Sequence, residues 1–409
     1  MPSIMWVLMF QQLLNLPQLQ LVLLAVVLIS ASTISAATTA ASTAFPVPSI
    51  VTPHYDTDPP YEVSPPAHTG FVVAYVDDWG YLMDWSRSPR ISTERQGIAT
   101  FCSIQNRGFW FFGNTSTQDT VTQYTTFFSS SISLAKDFAH PGWIVDNYAE
   151  WPSIPRSPEE TEFESIYGMT FGAIPHTHCA VIAPSKAIQF WDMRLDVCGG
   201  QTDGTSLVVY EFFPAYNALQ ITRPTMITLS PNEYRYGSFA TVVVKGIVYM
   251  YALEISGSGA DQDVHVASAS AATIEDKSTW RYWDQGAGTW SSVEPLPTTR
   301  RQSAAVISLP PGTYFHDGGS VFYSAYHNSY LLFFLTQDSV SLRVKYSQTP
   351  LGPWSTNDYI VYTFPQKIST ALVTPVPFQN GTAIAGQTLL VSWIAPNSYV
   401  TSVKKLNFA

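Results

Sequence analysis

Glu94 to Thr115 reads ERQGIATFCSIQNRGFWFFGNT, and the folding of this stretch decides the class of the whole chain. Gln96 to Ser103 predicts one strand, Gln105-Asn106-Arg107-Gly108 a turn with a positive φ at the glycine, and Phe109 to Gly113 the returning strand. The second arm is apolar at four successive positions, Phe109, Trp110, Phe111 and Phe112. A strand with one wet face alternates, whereas a strand packed between two sheets does not. The hairpin therefore calls for a sheet on either side of it. Its returning arm gives way to Gly113-Asn114-Thr115, small and polar residues suited to the mouth of a cavity.

Working outward, the same order of features recurs downstream. Tyr236-Gly237-Ser238 leads into a strand to Val244, Lys245-Gly246 turns it, Ile247 to Leu253 returns, Val264 to Ser268 follows, and Trp280 to Trp283 closes the unit. Gly319 to Tyr326, a His327-Asn328 turn, Ser329 to Leu335, Ser341 to Ser347 and the corner Gly352-Pro353-Trp354-Ser355 repeat that order. Between Gly70 and Trp85 two short strands are expected around an Asp77-Asp78-Trp79-Gly80 turn. Strand units recurring at about 60 to 80 residues without amphipathic helical runs indicate an all-β chain built by radial repetition, and the folded part holds about five of them. A five-bladed β-propeller is the expected fold, with a pair of packed β-sheets as the alternative.

The N-terminus has a different character. Leu21 to Ile29 is an unbroken apolar run ahead of Ile34-Ser35-Ala36, which suits a cleavage site, so residues 1–36 read as a secretory signal. No Lys or Arg precedes the run, and an uncleaved membrane anchor is the other reading, the one circumstance in which a membrane would be a partner. Residues 37–68, rich in Ala, Thr, Ser and Pro, form a linker or pro-segment unable to bury a core, which leaves 69–409 for the propeller domain.

Only 12% of the 409 residues are charged while 14% are aromatic, which favours contacts with neutral sugars over phosphates. The net charge of −10 without a basic cluster argues against nucleic acid. A secreted, extracellular monomer is expected, with no cofactor, and with no metal because CxxC and His-x3-His spacings are absent. In an oxidising compartment Cys179 and Cys198 are expected to form a disulfide around a short excursion, with Cys102 a buried thiol. Asn114-Thr115-Ser116 and Asn380-Gly381-Thr382 are both N-glycosylation sequons.

Arg95-Gln96-Gly97, Phe112-Gly113-Asn114-Thr115, Tyr236-Gly237-Ser238 and Ser347-Gln348-Thr349-Pro350-Leu351-Gly352-Pro353-Trp354 together resemble the motifs of a group of secreted five-bladed propellers. That group includes glycoside hydrolases acting on arabinan-type polysaccharides. The resemblance runs over roughly residues 70–405 and implies a polysaccharide or glycan as partner, bound through Arg95, Gln96, Asn114, Tyr236 and Ser238. Where the group carries two carboxylates at the ends of the first hairpin, this chain has Gln96 and Asn114. Glycosidases need one carboxylic acid to protonate the leaving oxygen and one carboxylate to attack or activate water. An amide hydrogen-bonds a sugar but does neither task. The matched site is thus expected to bind and to cleave weakly or not at all.

Four other acids are candidates for relocated catalysis. Glu94 would share a side of its strand with Gln96, about 7 Å along, and Asp192, Asp196 and Asp317 are the others. Each also has a structural reading: Glu94 as a solvated or paired acid, Asp192 and Asp196 as turn or edge carboxylates, Asp317 as an Asp-Gly turn residue. An active glycosidase and a protein-binding propeller remain the alternatives to a glycan binder.

Overall fold

The computed structural model describes residues 70–81, 83–84, 91–95, 99–105, 107–119, 125–135, 143–149, 154–156, 158, 160–161, 172–175, 177–194, 202–225, 227–255, 262–295, 304–308, 315–336, 338–368, 370–375, 386–394 and 401–409. All belong to one compact unit, Val51–Ala409. The expected signal and linker, 1–36 and 37–68, lie outside the described residues. Among the latter, no helix is long and apolar enough to cross a membrane.

The chain is a five-bladed β-propeller. Strand β1 (Val73–Tyr81) is followed by the first blade: β2 (Met83–Asp84), β3 (Ile91–Arg95), β4 (Ala99–Ile104), β5 (Arg107–Asp119), β6 (Thr125–Ala135) and β7 (Trp143–Ala149). The second blade holds β8 (Gly172–Pro175), β9 (Ala180–Ala183), β10 (Lys186–Arg194), β11 (Thr202–Phe213) and β12 (Ala218–Thr222). The third holds β13 (Ala240–Val244), β14 (Ile247–Ile255), β15 (Gln262–Ser270), β16 (Arg281–Asp284), β17 (Thr289–Ser291) and β18 (Ile307–Ser308). The fourth is β19 (Phe315–Ser324), β20 (Ser329–Thr336), β21 (Ser341–Ser347) and β22 (Tyr359–Thr363), and the fifth β23 (Thr370–Pro375), β24 (Thr388–Ile394) and β25 (Thr401–Phe408).

The ring closes through its ends. β1 pairs antiparallel with β25, so the first strand completes the last blade. This corrects the expected Asp77-Asp78-Trp79-Gly80 turn: β1 runs through it, with Asp77 opposite Lys405 and Asp78 opposite Lys404 in the ladder. Both acids form ion pairs with those lysines. Cross-strand charge pairing holds extended a segment whose composition suggests a bend.

Each pair of neighbouring blades shares one apolar cluster, five in all, and the fifth joins Leu390 and Val403 of the last blade to Phe101, Trp110 and Phe112 of the first. A single pair of packed sheets would have one such layer. The aromatic arm of the opening hairpin is explained by this arrangement. Along β5, Phe109 and Phe111 face the second blade among Trp191 and Tyr210, while Trp110 and Phe112 face the fifth. Alternation along the strand sends successive rings to opposite faces, and both faces are core. Burying each ring contributes roughly 1.5–3 kcal/mol.

The hairpin differs from its sequence reading in three respects. Its first arm is two strands, β3 and β4, both paired to β5. The positive φ falls on Gln105, at 47°, whose backbone N–H donates to Pro184 O in the second blade at 3.0 Å. Gly108 lies within β5, where a Cβ would come 2.7 Å from the Phe101 ring, so the glycine serves packing. The returning strand also continues past Gly113 to Asp119 because β3 extends its pairing. In the third blade the Lys245-Gly246 turn is as expected, with φ of 50° and 70°, the pair of positive values that a tight two-residue hairpin requires.

The disulfide expectation is overturned. Cys102 is bonded to Cys179 with a Cα separation of 5.6 Å, tying the innermost strand of the first blade to the second. Cys102 is on the face of β4 that joins the core between these blades, and Cys179 precedes β9 across that core. Cys198 lies outside the described residues. The short spacing from Cys179 to Cys198 suggested a local bond, whereas blade packing selects a partner 77 residues away.

Candidate functional site

The innermost strands carry extra residues toward the end at which they begin. In the first blade Arg95 is opposite Thr115 and Ala99 opposite Phe112, so four steps on the inner strand face three on β5. The interval contains Gln96. In the second, Pro175 is opposite Trp191 and Ala180 opposite Ile188, so five steps face three. In the third, the N–H groups of Gly237 and Phe239 both donate to Tyr251 O, at 3.0 and 3.2 Å. In the fourth, Phe315 is opposite Thr336 and Gly319 opposite Phe334, so four steps face two, and the interval contains Asp317. Such irregularities turn side chains out of the ladder and re-aim them, a device common beside binding and catalytic sites.

Polar contacts join these entries from blade to blade. Gln189 Nε2 donates to Thr100 Oγ1 at 2.8 Å and to Thr177 O at 2.6 Å, linking the first two blades. Arg235 Nη1 donates to Asp192 Oδ2 at 2.9 Å, linking the second and third. Gly319 N–H donates to Phe239 O at 2.9 Å, Val373 N–H to Ser320 Oγ at 3.0 Å, and Ser392 Oγ to Ala99 O at 2.7 Å, completing the circuit. The close approach at Gly319 requires a glycine, since a Cβ there would come 2.6 Å from the Phe239 ring. These contacts join the blades around the ring, and they bring the segments of Ser238 and Asp317 side by side.

The sequence candidates fall on this frame unevenly. Glu94 and Arg95 sit on β3 opposite Ser116 and Thr115, and Asn114 sits on β5 with β6 on its other side. Gln96, Asp196 and Asn380, together with the side chains of Glu94, Arg95, Asn114 and Asp317, lie outside the described residues. Gly113, beside Asn114, abuts the second blade, where a Cβ would be 3.2 Å from Ala173 O. Ser238 Oγ donates to Arg235 O at 2.7 Å. Tyr236 is buried in the core between the second and third blades, its ring against Tyr234 and Tyr282. Burial, and next the neighbouring Glu294, raise its hydroxyl well above the ordinary tyrosine value, so it stays protonated. Asp192 is buried and accepts from both Thr205 Oγ1 and Arg235 Nη1 at 2.9 Å, which makes it a bound carboxylate. His178 is buried too, and desolvation lowers it to about 4, so it is neutral at physiological pH.

Sequence reasoning missed a polar group behind the rim. Tyr234 donates its hydroxyl to Glu254 Oε2 at 3.0 Å, and the same oxygen lies 3.0 Å from His265 Nε2. Asp263 is directly opposite Glu254 in the β14–β15 ladder. One ligating atom from each of Glu254, Asp263 and His265 lies within 4.8 Å of the others. The signal in the sequence was an acid at the end of one strand and an Asp-x-His at the start of the next. It becomes legible only once the two are paired in register.

The sequence from 193 to 404, just over half the chain, matches the family described as Domain of unknown function (DUF5005). No curated protein matches. Among solved structures, the chain is similar to Zg3597, a family 117 glycoside hydrolase of the marine bacterium Zobellia galactanivorans, at 9% identity and a TM-score of 0.44, over 82% of this chain and 91% of that one. It is similar to a GH43_1 enzyme from Xanthomonas citri at 12% identity and a TM-score of 0.42, over 81% and 91%. It is also similar to Trypanosoma rangeli sialidase in complex with sialic acid at 10% identity and a TM-score of 0.41, over 82% and 59%. With its match extending from the second blade to the last strand, the chain belongs to the family described as Domain of unknown function (DUF5005).

Proposed function

We propose that this chain is a secreted propeller that binds a neutral polysaccharide or glycan at the mouth formed by its strand entries, with little or no cleavage. The observation that carries the reading is the register break of the first blade, where the inner strands take four steps from Arg95 to Ala99 against three on β5 from Thr115 to Phe112, the interval that contains Gln96 in sequence and Gly113 and Asn114 across from it. There the resemblance to arabinan-active propellers expects acids, and the chain offers amides. Amides supply a donor and an acceptor to sugar hydroxyls without the proton transfer that glycoside cleavage needs. The Cys102–Cys179 bond is consistent with an oxidising, extracellular compartment.

The test is a panel of neutral polysaccharides, arabinans among them, assayed for retention and for release of reducing sugar. Retention without release is expected for the wild type. If the carry-over of the resemblance to this mouth is correct, Gln96→Asp combined with Asn114→Asp gains hydrolysis; no gain from a folded double variant contradicts it.

A second reading, an active glycosidase with a relocated acid, is favoured by one observation, the place of Asp317 inside the entry break of the fourth blade. Release of reducing sugar by the wild type, abolished in Asp317→Asn, would establish it.

A further inference from the structure

The group behind the rim has a donor set that the proposed sugar mouth does not use. Antiparallel pairing sets Glu254 opposite Asp263 and Ala252 opposite His265. The period of two then places Glu254, Asp263 and His265 on the same face of the third blade, the one that Val248, Met250 and Ala252 turn toward the second. The three side chains belong to residues only 6%, 1% and 2% exposed. Their ligating atoms converge within 4.8 Å. An imidazole nitrogen and two carboxylates are the ligand types of a zinc site that keeps its fourth position for water.

Two further observations point the same way. Tyr234 holds Glu254 from outside the trio through its hydroxyl, and its ring lies 4.6 Å from that of His265, so both ligands are oriented by a neighbour that is not itself a ligand. His265 Nδ1 is buried without a hydrogen-bond partner among the described residues. No described neighbour on that side fixes which ring nitrogen keeps its proton, so Nδ1 can carry it while Nε2 exchanges its contact with Glu254 for an ion. His265 Nε2 and Glu254 Oε2 are 3.0 Å apart, so a tetrahedral ion about 2.1 Å from each would need to spread them by only about 0.4 Å.

We propose that Glu254, Asp263 and His265 form a buried site for a divalent transition-metal ion of the zinc type, which fastens the end of β14 to the start of β15. Because the ligands are buried between blades and join two strands, the expected effect of the ion is read in stability, with water in its fourth position.

The test uses the full chain purified without a polyhistidine tag. Metal content is measured by mass spectrometry, and thermal unfolding is followed after treatment with EDTA and after addition of Zn²⁺, with Ca²⁺ as a comparison. One zinc per chain, a fall in Tm on chelation and its recovery with Zn²⁺ are expected. Asp263→Asn and His265→Gln should lose the bound zinc, and Tyr234→Phe should keep it with affinity reduced about 10- to 100-fold. Should the ligand variants fail to fold, Co²⁺ added to the chelated wild type reports directly through the visible spectrum of a four-coordinate site. Wild-type protein that holds no zinc, whose Tm does not respond to Zn²⁺ and which gives no cobalt spectrum, would overturn the proposal. That outcome would leave Tyr234, Glu254 and His265 as a hydrogen-bonded network alone.

Discussion

Arg235 Nη1 lies 2.9 Å from Asp192 Oδ2, so the segment entering the third blade is clasped by a carboxylate on β10 of the second. Asp192 is buried while Arg235 is about one-third exposed. The acid also accepts from Thr205. Its two hydrogen bonds, one at each oxygen, tie it into the junction between the blades. Asp192→Asn is therefore expected to lower stability by about 1–3 kcal/mol, measured by denaturant unfolding, while glycan retention persists in the folded fraction.

The Cys102–Cys179 bond predicts a thiol count. Unfolded without reductant, the chain should show one reactive thiol, that of Cys198, and peptide mapping should recover a Cys102–Cys179 cross-link. Cys179→Ser should cost about 2–5 kcal/mol, because the bond closes a long loop between blades. A cross-link to Cys198 in the native protein would show that blade packing does not select the pair.

His178 gives stability a pH dependence. Its ordinary value is 6.5, and burial lowers it to about 4 in the folded chain, so between these values the unfolded chain binds the extra proton. The contribution is fully present above about pH 6.5 and is lost as pH falls toward 4, amounting to roughly 3 kcal/mol. Unfolding curves from pH 7 to pH 4 should show this loss in the wild type and a flatter profile in His178→Gln.

Gly319→Ala should be more damaging than Gly246→Ala. The first adds a methyl group 2.6 Å from the Phe239 ring at a junction between blades, whereas the second meets nothing within 4 Å and is strained only by its φ of 70°. A cost of about 1–3 kcal/mol is expected for Gly319→Ala and about 1 kcal/mol for Gly246→Ala. Equal unfolding midpoints for the two would contradict the account of the rim.

The fold was legible because its main physical cause is written locally. Phe109 to Phe112, apolar on both faces, announces a strand between two sheets, and the units beginning at Gly237 and Gly319 repeat the pattern with its turns. The Cys102 partner was not legible, because it depends on which blade packs beside which. Nor was Asp77–Gly80 as a strand, since the lysines that hold it extended are at the other end of the chain. The entry residues could be named from Gln96, Asn114 and Asp317, but the register breaks containing Gln96 and Asp317 appear only when both strands of a ladder are aligned. Glu254, Asp263 and His265 escaped for the same reason: their proximity is a property of pairing.

The most direct test of the central claim is paired measurement of retention and cleavage on one neutral polysaccharide panel, with wild type and Asn114→Ala side by side. Binding without release of reducing sugar is expected, weakened about tenfold or more in the variant, as for loss of a hydrogen bond worth about 1.4 kcal/mol. Release of reducing sugar by the wild type, or retention that Asn114→Ala leaves unchanged, would contradict it.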